Sequence, residues 1–313
     1  MTTQEAPAPP PPTPRARKAK RTRPERPPLP PLTVKEQALR GVSALAAAVL
    51  IAFSANLILV SHVQHAATQQ QLHNAFQAQL AEGVAPVSEG DVDQVLLRDG
   101  APVAVIDVPK IGLHSVVVEG TSSSTLTAGP GHRRDTVLPG QRGESVIMGR
   151  AAAYGGPFAR IDELRENDTF TVITGQGEHL YAVTGIRYAK DPAAPSFALA
   201  ESRLTLETAT GAPYMPAGVL RVDARLVSEP QDAGLRQTTA ATLPPSHQAL
   251  ATDTGMVWAL VFALQALIAL ELALAWAVRR LGRRRVWTVF VPVALLTAFI
   301  ITDQVIRLLP NLL

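Results

Sequence analysis

Three long runs of apolar residues limit most strongly how this chain can fold. They are predicted at 41–60, 253–278 and 286–309, and the first reads GVSALAAAVLIAFSANLILV without a charged side chain. About 20 apolar residues in a helix match the thickness of a bilayer. A signal peptide has an apolar region of about 7–15 residues, and no clear A-x-A cleavage site follows the first run. The sequence therefore predicts three transmembrane helices, the first being an uncleaved anchor.

Basic residues indicate how these helices are oriented. Five arginines lie in the predicted loop 279–285, and residues 1–40 contain nine lysines or arginines against three glutamates. The positive-inside rule places both segments in the cytoplasm, so residues 61–252 and the C-terminal end are expected outside. Because residues 1–40 also hold 11 of the 26 prolines, they are predicted to be a disordered tail that contacts membrane lipid. Its proline and basic runs leave an SH3-like partner or nucleic acid open as alternatives.

Composition excludes several chemistries. The chain has no cysteine, which rules out disulfides, thiolate metal sites and a cysteine nucleophile. Residues 41–270 carry 14 basic and 21 acidic side chains, so the outer part has no basic excess and nucleic acid is not expected as its ligand. Neither a metal site nor a cofactor site is predicted.

Three polar side chains fall within or near the predicted spans: Asn56, Glu271 and Asp303. Carboxylates inside a membrane are costly, so each is expected to have a polar partner on a neighbouring helix or another protein. For Glu271 one candidate partner is Asn56. Asp303 is interpreted as an interfacial residue at a helix end.

The outer part divides into three segments. Residues 61–102 contain helix formers followed by a linker, and residues 228–252 form a second linker rich in Pro, Thr and Ala. Between them, residues 103–227 show short segments of alternating polarity separated by Gly and Pro: VAVIDVP, SVVVEG, SVIMG, TFTVIT, HLYAVTGIRY, RLTLET and GVLRVDARLV. About seven strands at this spacing predict a β-sandwich or β-barrel.

These segments resemble the sortases, which are β-barrel cysteine transpeptidases of Gram-positive membranes. The resemblance rests on VIDVPKIGLHSVVVEG, GPGHRRDTVLPGQRGESVIMG, YGGPFARIDELRENDTF, RLTLETAT and VLRVDARLV, in that order. It implies a mostly β fold, with a sortase-like β-barrel outer domain joined to three transmembrane α-helices. It also implies a location at the outer face of the cell membrane.

The same resemblance places the three catalytic groups. A sortase uses a cysteine thiolate, a histidine and an arginine to cleave a Leu-Pro-x-Thr-Gly sorting signal through an acyl-enzyme. Here the cysteine position is Ala209 and the histidine position is Arg150, whereas Arg221 matches the arginine. Alanine has no nucleophilic atom, and a guanidinium does not transfer protons at neutral pH.

The leading hypothesis is a non-catalytic, membrane-anchored protein that binds a ligand in the cleft corresponding to the catalytic cleft of the sortases. The residues expected around this cleft are Arg150, Tyr154, Thr208, Thr210 and Arg221. Such a cationic pocket would suit a sorting-signal-like peptide, a cell-wall polymer or another cell-surface protein. Alternatively, Arg150 pairs with Asp162 or Glu207, Arg221 pairs across its strand, and nothing binds.

Two further hypotheses stay open. Thr208 or Thr210 could replace the nucleophile, although a hydroxyl needs an adjacent general base. The third hypothesis is a membrane scaffold for a cell-surface assembly complex, for which Glu271 is the discriminating residue.

Overall fold

The computed structural model describes residues 51–90, 93, 95–192, 201–234, 236–253, 255, 257–281 and 283–313, with isolated positions between 33 and 50. Most of the predicted tail 1–40, and residues 41–50 of the first apolar run apart from isolated positions, lie outside the described residues. The part of that run that is described, residues 51–60, is helical and ends in a π-helical turn at Asn56–Val60.

Eight strands close into a barrel, as the mostly β prediction requires. The strands are β1 (Pro102–Val108), β2 (Leu113–Glu119), β3 (Gly131–His132), β4 (Gly143–Met148), β5 (Thr169–Thr174), β6 (Gly177–Tyr188), β7 (Ser202–Ala212) and β8 (Met215–Leu226). Their order around the barrel is β1-β2-β3-β4-β7-β8-β6-β5. The pairs β2/β3 and β4/β7 are parallel and the others antiparallel. The two-residue strand β3 is absent from the predicted set because it is too short to show an alternating pattern.

The barrel is filled by the apolar face of each strand. In β8, Leu220, Val222 and Ala224 point into the core, and Leu204 and Leu206 of β7 pack beside them. The alternate residues of these strands face outward. Both faces matter here, because the outer face of β4, β7 and β8 forms the floor of the candidate site.

The helices with described bounds are α1 (Ser61–Glu82), which continues the helical residues 51–60, α2 (Val257–Leu281) and α3 (Arg283–Arg307). Within α2 and α3, the segments Val257–Leu274 and Thr288–Arg307 are long and apolar enough to cross a membrane. The two helices pack against each other as a hairpin. The arginine-rich stretch predicted as the loop 279–285 lies mostly inside these helices, because Arg and Leu are favourable helix residues.

The polar residues of the predicted spans have different partners from those expected. Asn56 donates to Thr302 Oγ1 at 3.0 Å, so its partner is α3 and not Glu271. Glu271 makes no hydrogen bond or ion pair with any described residue. Asp303 contacts both Tyr154 of the barrel and Arg307, so it joins α3 to the outer domain.

Segment 228–252, predicted as a linker, lies along the barrel. The Thr238 amide donates to Glu89 Oε1 at 2.9 Å. His247 accepts a hydrogen bond from the Thr121 amide at 3.1 Å. The many small polar residues of segment 228–252 led to the prediction of a linker. Local composition does not reveal contacts between residues that are distant in sequence.

The side chain of Gln69 forms hydrogen bonds between α1 and the barrel. Gln69 Oε1 accepts from the Val116 amide at 2.7 Å and from the Ser115 hydroxyl at 3.0 Å. Its Nε2 donates to the carbonyl oxygens of Ala128 at 2.7 Å and of Val116 at 3.2 Å. One side chain therefore satisfies groups from β2 and from the loop before β3.

We expect Gln69→Ala to lower the free energy of unfolding by about 1–3 kcal/mol, because it leaves buried backbone groups unpaired. Chemical unfolding of the detergent-solubilised protein measures the change, and amide exchange of β2 locates it. Gln70→Ala is the matched control, since Gln70 is exposed and bonds only Asn74. Equal stability of the two variants would contradict the assigned role.

Candidate functional site

A cavity of about 340 Å³ opens at the end of β7, around the position predicted for the nucleophile. Its lining includes Thr208, Ala209, Thr210, Tyr214 and Leu313. Ala209 stands opposite Val219 of β8 and packs in an apolar cluster with Met148 and Val219. Ala209 therefore presents only a methyl group to the cavity, and the side chains that pack around it are apolar.

Arg150 follows β4 and is completely buried beside this cluster. One of its terminal nitrogens donates to the Ser123 carbonyl at 2.7 Å and the Ser123 hydroxyl at 2.9 Å. The other donates to the main-chain oxygen of Leu313 at 2.9 Å. Among the described residues, no Asp or Glu side chain forms an ion pair with Arg150, so the alternative pairing with Asp162 or Glu207 is not the observed arrangement.

Burial lowers the pKa of the Arg150 guanidinium to about 10. The Tyr154 ring lies 5.4 Å from the guanidinium carbon and provides a cation–π contact. A pKa of about 10 keeps the group protonated at neutral pH. Arg150 therefore acts as a hydrogen-bond donor in this site and has no proton-accepting form near pH 7.

Tyr154 connects the site to α3. Its hydroxyl donates to Asp303 Oδ1 at 3.0 Å, and Arg307 Nε contacts the other carboxylate oxygen at 2.9 Å. Burial, followed by the negative charge of Asp303, raises the pKa of Tyr154. Tyr154 has a positive φ of 50°, which is uncommon for a residue with a side chain. The contacts of its ring and hydroxyl hold it there.

Arg221 does not join Arg150. It lies opposite Glu207 in the β7/β8 register, two residues along β8 from the partner of Ala209. At about 3.3 Å per residue this is roughly 7 Å farther along the strand. Its Nε contacts Glu207 Oε1 at 2.5 Å, and it lines a separate cavity of about 280 Å³. The pairing of Arg221 across the strand face is thus the observed arrangement.

The two threonines differ in their surroundings. Thr208 is 2% exposed, and its hydroxyl donates to the Gly149 carbonyl at 2.8 Å. The Thr210 hydroxyl makes no hydrogen bond to any described residue. The described lining of the cavity contains one carboxylate, Asp162, and neither histidine nor lysine. Among the described residues, neither hydroxyl is hydrogen-bonded to a carboxylate, histidine or lysine that could act as a general base.

A segment that the sequence did not assign to the site enters it. After α3, residues Leu309–Leu313 run against the barrel, and Leu312 and Leu313 join the cluster that contains Ala209. The Ala151 amide donates to the Leu312 carbonyl at 2.9 Å. The only sequence signal is the change from apolar residues to Pro310 and Asn311 at the predicted end of the third span.

Comparison with known proteins finds similarity to sortases over the barrel. Residues 106–227 match the family model described as Sortase domain. Sortase D of Bacillus subtilis (strain 168) is 30% identical over 84 residues, which are 27% of this chain and 41% of that protein. The chain therefore spans less than half the length of this relative. Residues 106–227 therefore match a Sortase domain, and the rest of the chain lies outside this match.

Solved structures with a similar fold include two from Clostridium perfringens. A Sortase D5 transpeptidase is 23% identical with a TM-score of 0.42, and the match covers 52% of this chain and 99% of that one. Sortase C with the C-terminal cell wall sorting motif is 19% identical with a TM-score of 0.40, and the match covers 60% of this chain and 99% of that one.

We expect Tyr154→Phe to lower the free energy of unfolding by about 1–3 kcal/mol, because the Asp303 carboxylate loses a buried hydrogen bond. Thermal unfolding in detergent provides the measurement. Tyr214→Phe is the matched control, since Tyr214 also has a positive φ and its hydroxyl bonds no described residue. If both variants unfold together, the contact to α3 contributes nothing to stability.

Proposed function

We propose that this protein is a membrane-anchored member of the sortase family that binds a peptide in its cleft without cleaving it. The observation that carries the proposal is Ala209 at the centre of the cavity, with buried Arg150 beside it. Neither residue supplies a nucleophile or a proton-accepting group at neutral pH. In a mechanism whose members act as a unit, loss of one member removes most of the rate.

A peptide fits the cleft better than a phosphate or a wall polymer. Apolar side chains of Leu312 and Leu313 pack against Ala209, and the Ala151 amide and Arg150 bond main-chain oxygens. An apolar peptide that adopts the same turn, closed by the hydrogen bond from the Leu313 amide to the Pro310 carbonyl, can make these contacts. Because Arg221 is paired with Glu207, it adds little attraction for an anion.

Anchoring in a cell membrane is supported by the two long apolar helices, α2 and α3, with basic residues where they meet. Asp253, before α2, contacts Ser124 of the barrel, and Leu309, after α3, contacts Ser123. The barrel thus lies at one end of the hairpin and the arginines at the other. With the positive-inside rule, we place the barrel and residue 313 outside, and residues 41–60 as a third span.

The absence of catalysis can be tested with the full chain in detergent, a labelled sorting-signal peptide and an amine nucleophile. We expect neither cleavage nor transfer above the protein-free reaction, because no described carboxylate, histidine or lysine is hydrogen-bonded to either threonine hydroxyl. Thr208→Val and Thr210→Val are the matched variants. Turnover that disappears in one of them would instead identify a threonine nucleophile.

A second candidate function is a scaffold, and Glu271 favours it. Its carboxylate lies in the apolar helix α2, where it has no partner among the described residues. An unpaired intramembrane carboxylate is costly unless another protein supplies a polar group.

We expect Glu271→Leu to reduce co-purification of membrane partners from cross-linked cells if the scaffold function holds. Leu272→Ala, at an adjacent exposed apolar position of α2, serves as the control. Unchanged recovery of every partner with Glu271→Leu would remove the support for this function. The readout is quantitative mass spectrometry of the captured proteins.

A further inference from the structure

The segment that follows α3 is bound like a ligand. Its five residues are Leu-Pro-Asn-Leu-Leu, at positions 309–313. Asn311 and Leu312 are fully buried, and Leu313 is 3% exposed. Burial of a polar side chain such as Asn311 is costly unless hydrogen bonds satisfy it. This degree of burial therefore calls for a set of specific contacts along the segment.

Those contacts run along its whole length. The Ser123 hydroxyl donates to the Leu309 carbonyl at 2.9 Å, and Asn311 Nδ2 donates to the Thr121 carbonyl at 2.7 Å. The Ala151 amide and Arg150 then bond the oxygens of Leu312 and Leu313. The segment itself forms a turn, in which the Leu313 amide donates to the Pro310 carbonyl at 3.1 Å. Main-chain hydrogen bonds with apolar side chains between them are a common way for proteins to recognise peptides.

With Leu309–Leu313 in place, the site still has an unused hydrogen-bond donor and an unfilled volume. Arg150 Nε is buried and has no hydrogen-bond partner, so the site holds a donor that the present segment does not use. Beside Leu313 the cavity of about 340 Å³ remains, lined in part by Thr210 and Tyr214. A longer or differently placed peptide would therefore find both space and a donor.

We infer that Leu309–Leu313 is a resident ligand of the cleft, which an external peptide of the same chemistry must displace. This inference rests on the proposed function in taking the cleft as a peptide-binding site. The segment follows α3 directly, and Tyr154 and Asp303 hold the end of that helix beside the site. Such a tether raises the effective concentration of the segment to the millimolar range or above.

The first test measures binding of a fluorescent acetyl-Leu-Leu-Pro-Asn-Leu-Leu-amide to the full chain in detergent. In Leu312→Asp with Leu313→Asp, two carboxylates cannot enter the apolar cluster, so the segment is released. If it occupies the cleft at least about nine-tenths of the time, the variant binds the peptide at least about tenfold more tightly than the unmodified chain. The matched control is Leu180→Asp with Val227→Asp, two exposed positions on the barrel. Equal affinity of the release variant and the unmodified chain would overturn the inference.

The second test does not depend on the release variant folding well. Because the chain has no cysteine, Ala209→Cys with Leu313→Cys provides one possible disulfide within the cleft. Oxidation should fix the segment in place and abolish peptide binding, and reduction should restore it. Val227→Cys with Leu313→Cys is the control, since Val227 is eight residues along the chain from Val219, roughly 26 Å in an extended strand.

The outcomes separate the two proposals. Peptide binding that persists in the disulfide-linked form would overturn the inference that Leu309–Leu313 occupies the cleft. The proposed function as a peptide-binding protein would still stand. Failure of every form, including the reduced cysteine pair, to bind the peptide would overturn both. Failure of the Ala209→Cys, Leu313→Cys variant to form a disulfide would also contradict the bound position of the segment.

Discussion

The site depends on a buried cation, Arg150, which pairs with no described Asp or Glu side chain. Removing a charge from water costs several kcal/mol unless hydrogen bonds replace its hydration. For Arg150 the replacements are the two oxygens of Ser123, the main-chain oxygen of Leu313 and the face of Tyr154. These partners belong to a loop after β2, to the chain after α3, and to the loop after β4. One guanidinium thereby connects three segments that are far apart in sequence.

The same region joins the barrel to the membrane helices. Thr121 contacts His247 from the segment before α2 and Asn311 from the segment after α3. Two residues later, Ser123 contacts both Arg150 and Leu309. The short loop 121–124 therefore receives both ends of the hairpin. A change in the position of the α2–α3 hairpin relative to the barrel would therefore first alter the contacts around Arg150 and the cleft.

Local patterns in the sequence were sufficient to predict a β-sandwich or β-barrel, and the family resemblance favoured the barrel that the structure shows. Alternating residues such as Leu220, Val222 and Ala224 predict a strand because burial on one face has a period of two. The substitutions at Ala209 and Arg150 follow from the family resemblance. The partner of Asn56, the separation of Arg150 from Arg221 and the position of Leu313 depend on contacts between distant segments. No periodicity or motif encodes those contacts, so the sequence alone placed both arginines around one pocket.

That separation determines what the cleft can select. On the outer face of β4, β7 and β8, arginines pair with neighbouring carboxylates, as in Arg203 with Glu144 at 2.9 Å and Arg221 with Glu207 at 2.5 Å. Paired charges present little net field to a ligand, so this face holds the strands together more than it attracts anions. Around Ala209 the walls are apolar, and the polar contacts are donors to main-chain oxygens. Recognition there rests on apolar shape and backbone hydrogen bonds, which is why a leucine-rich segment of the chain itself fits a site that would otherwise be expected to favour negative charge.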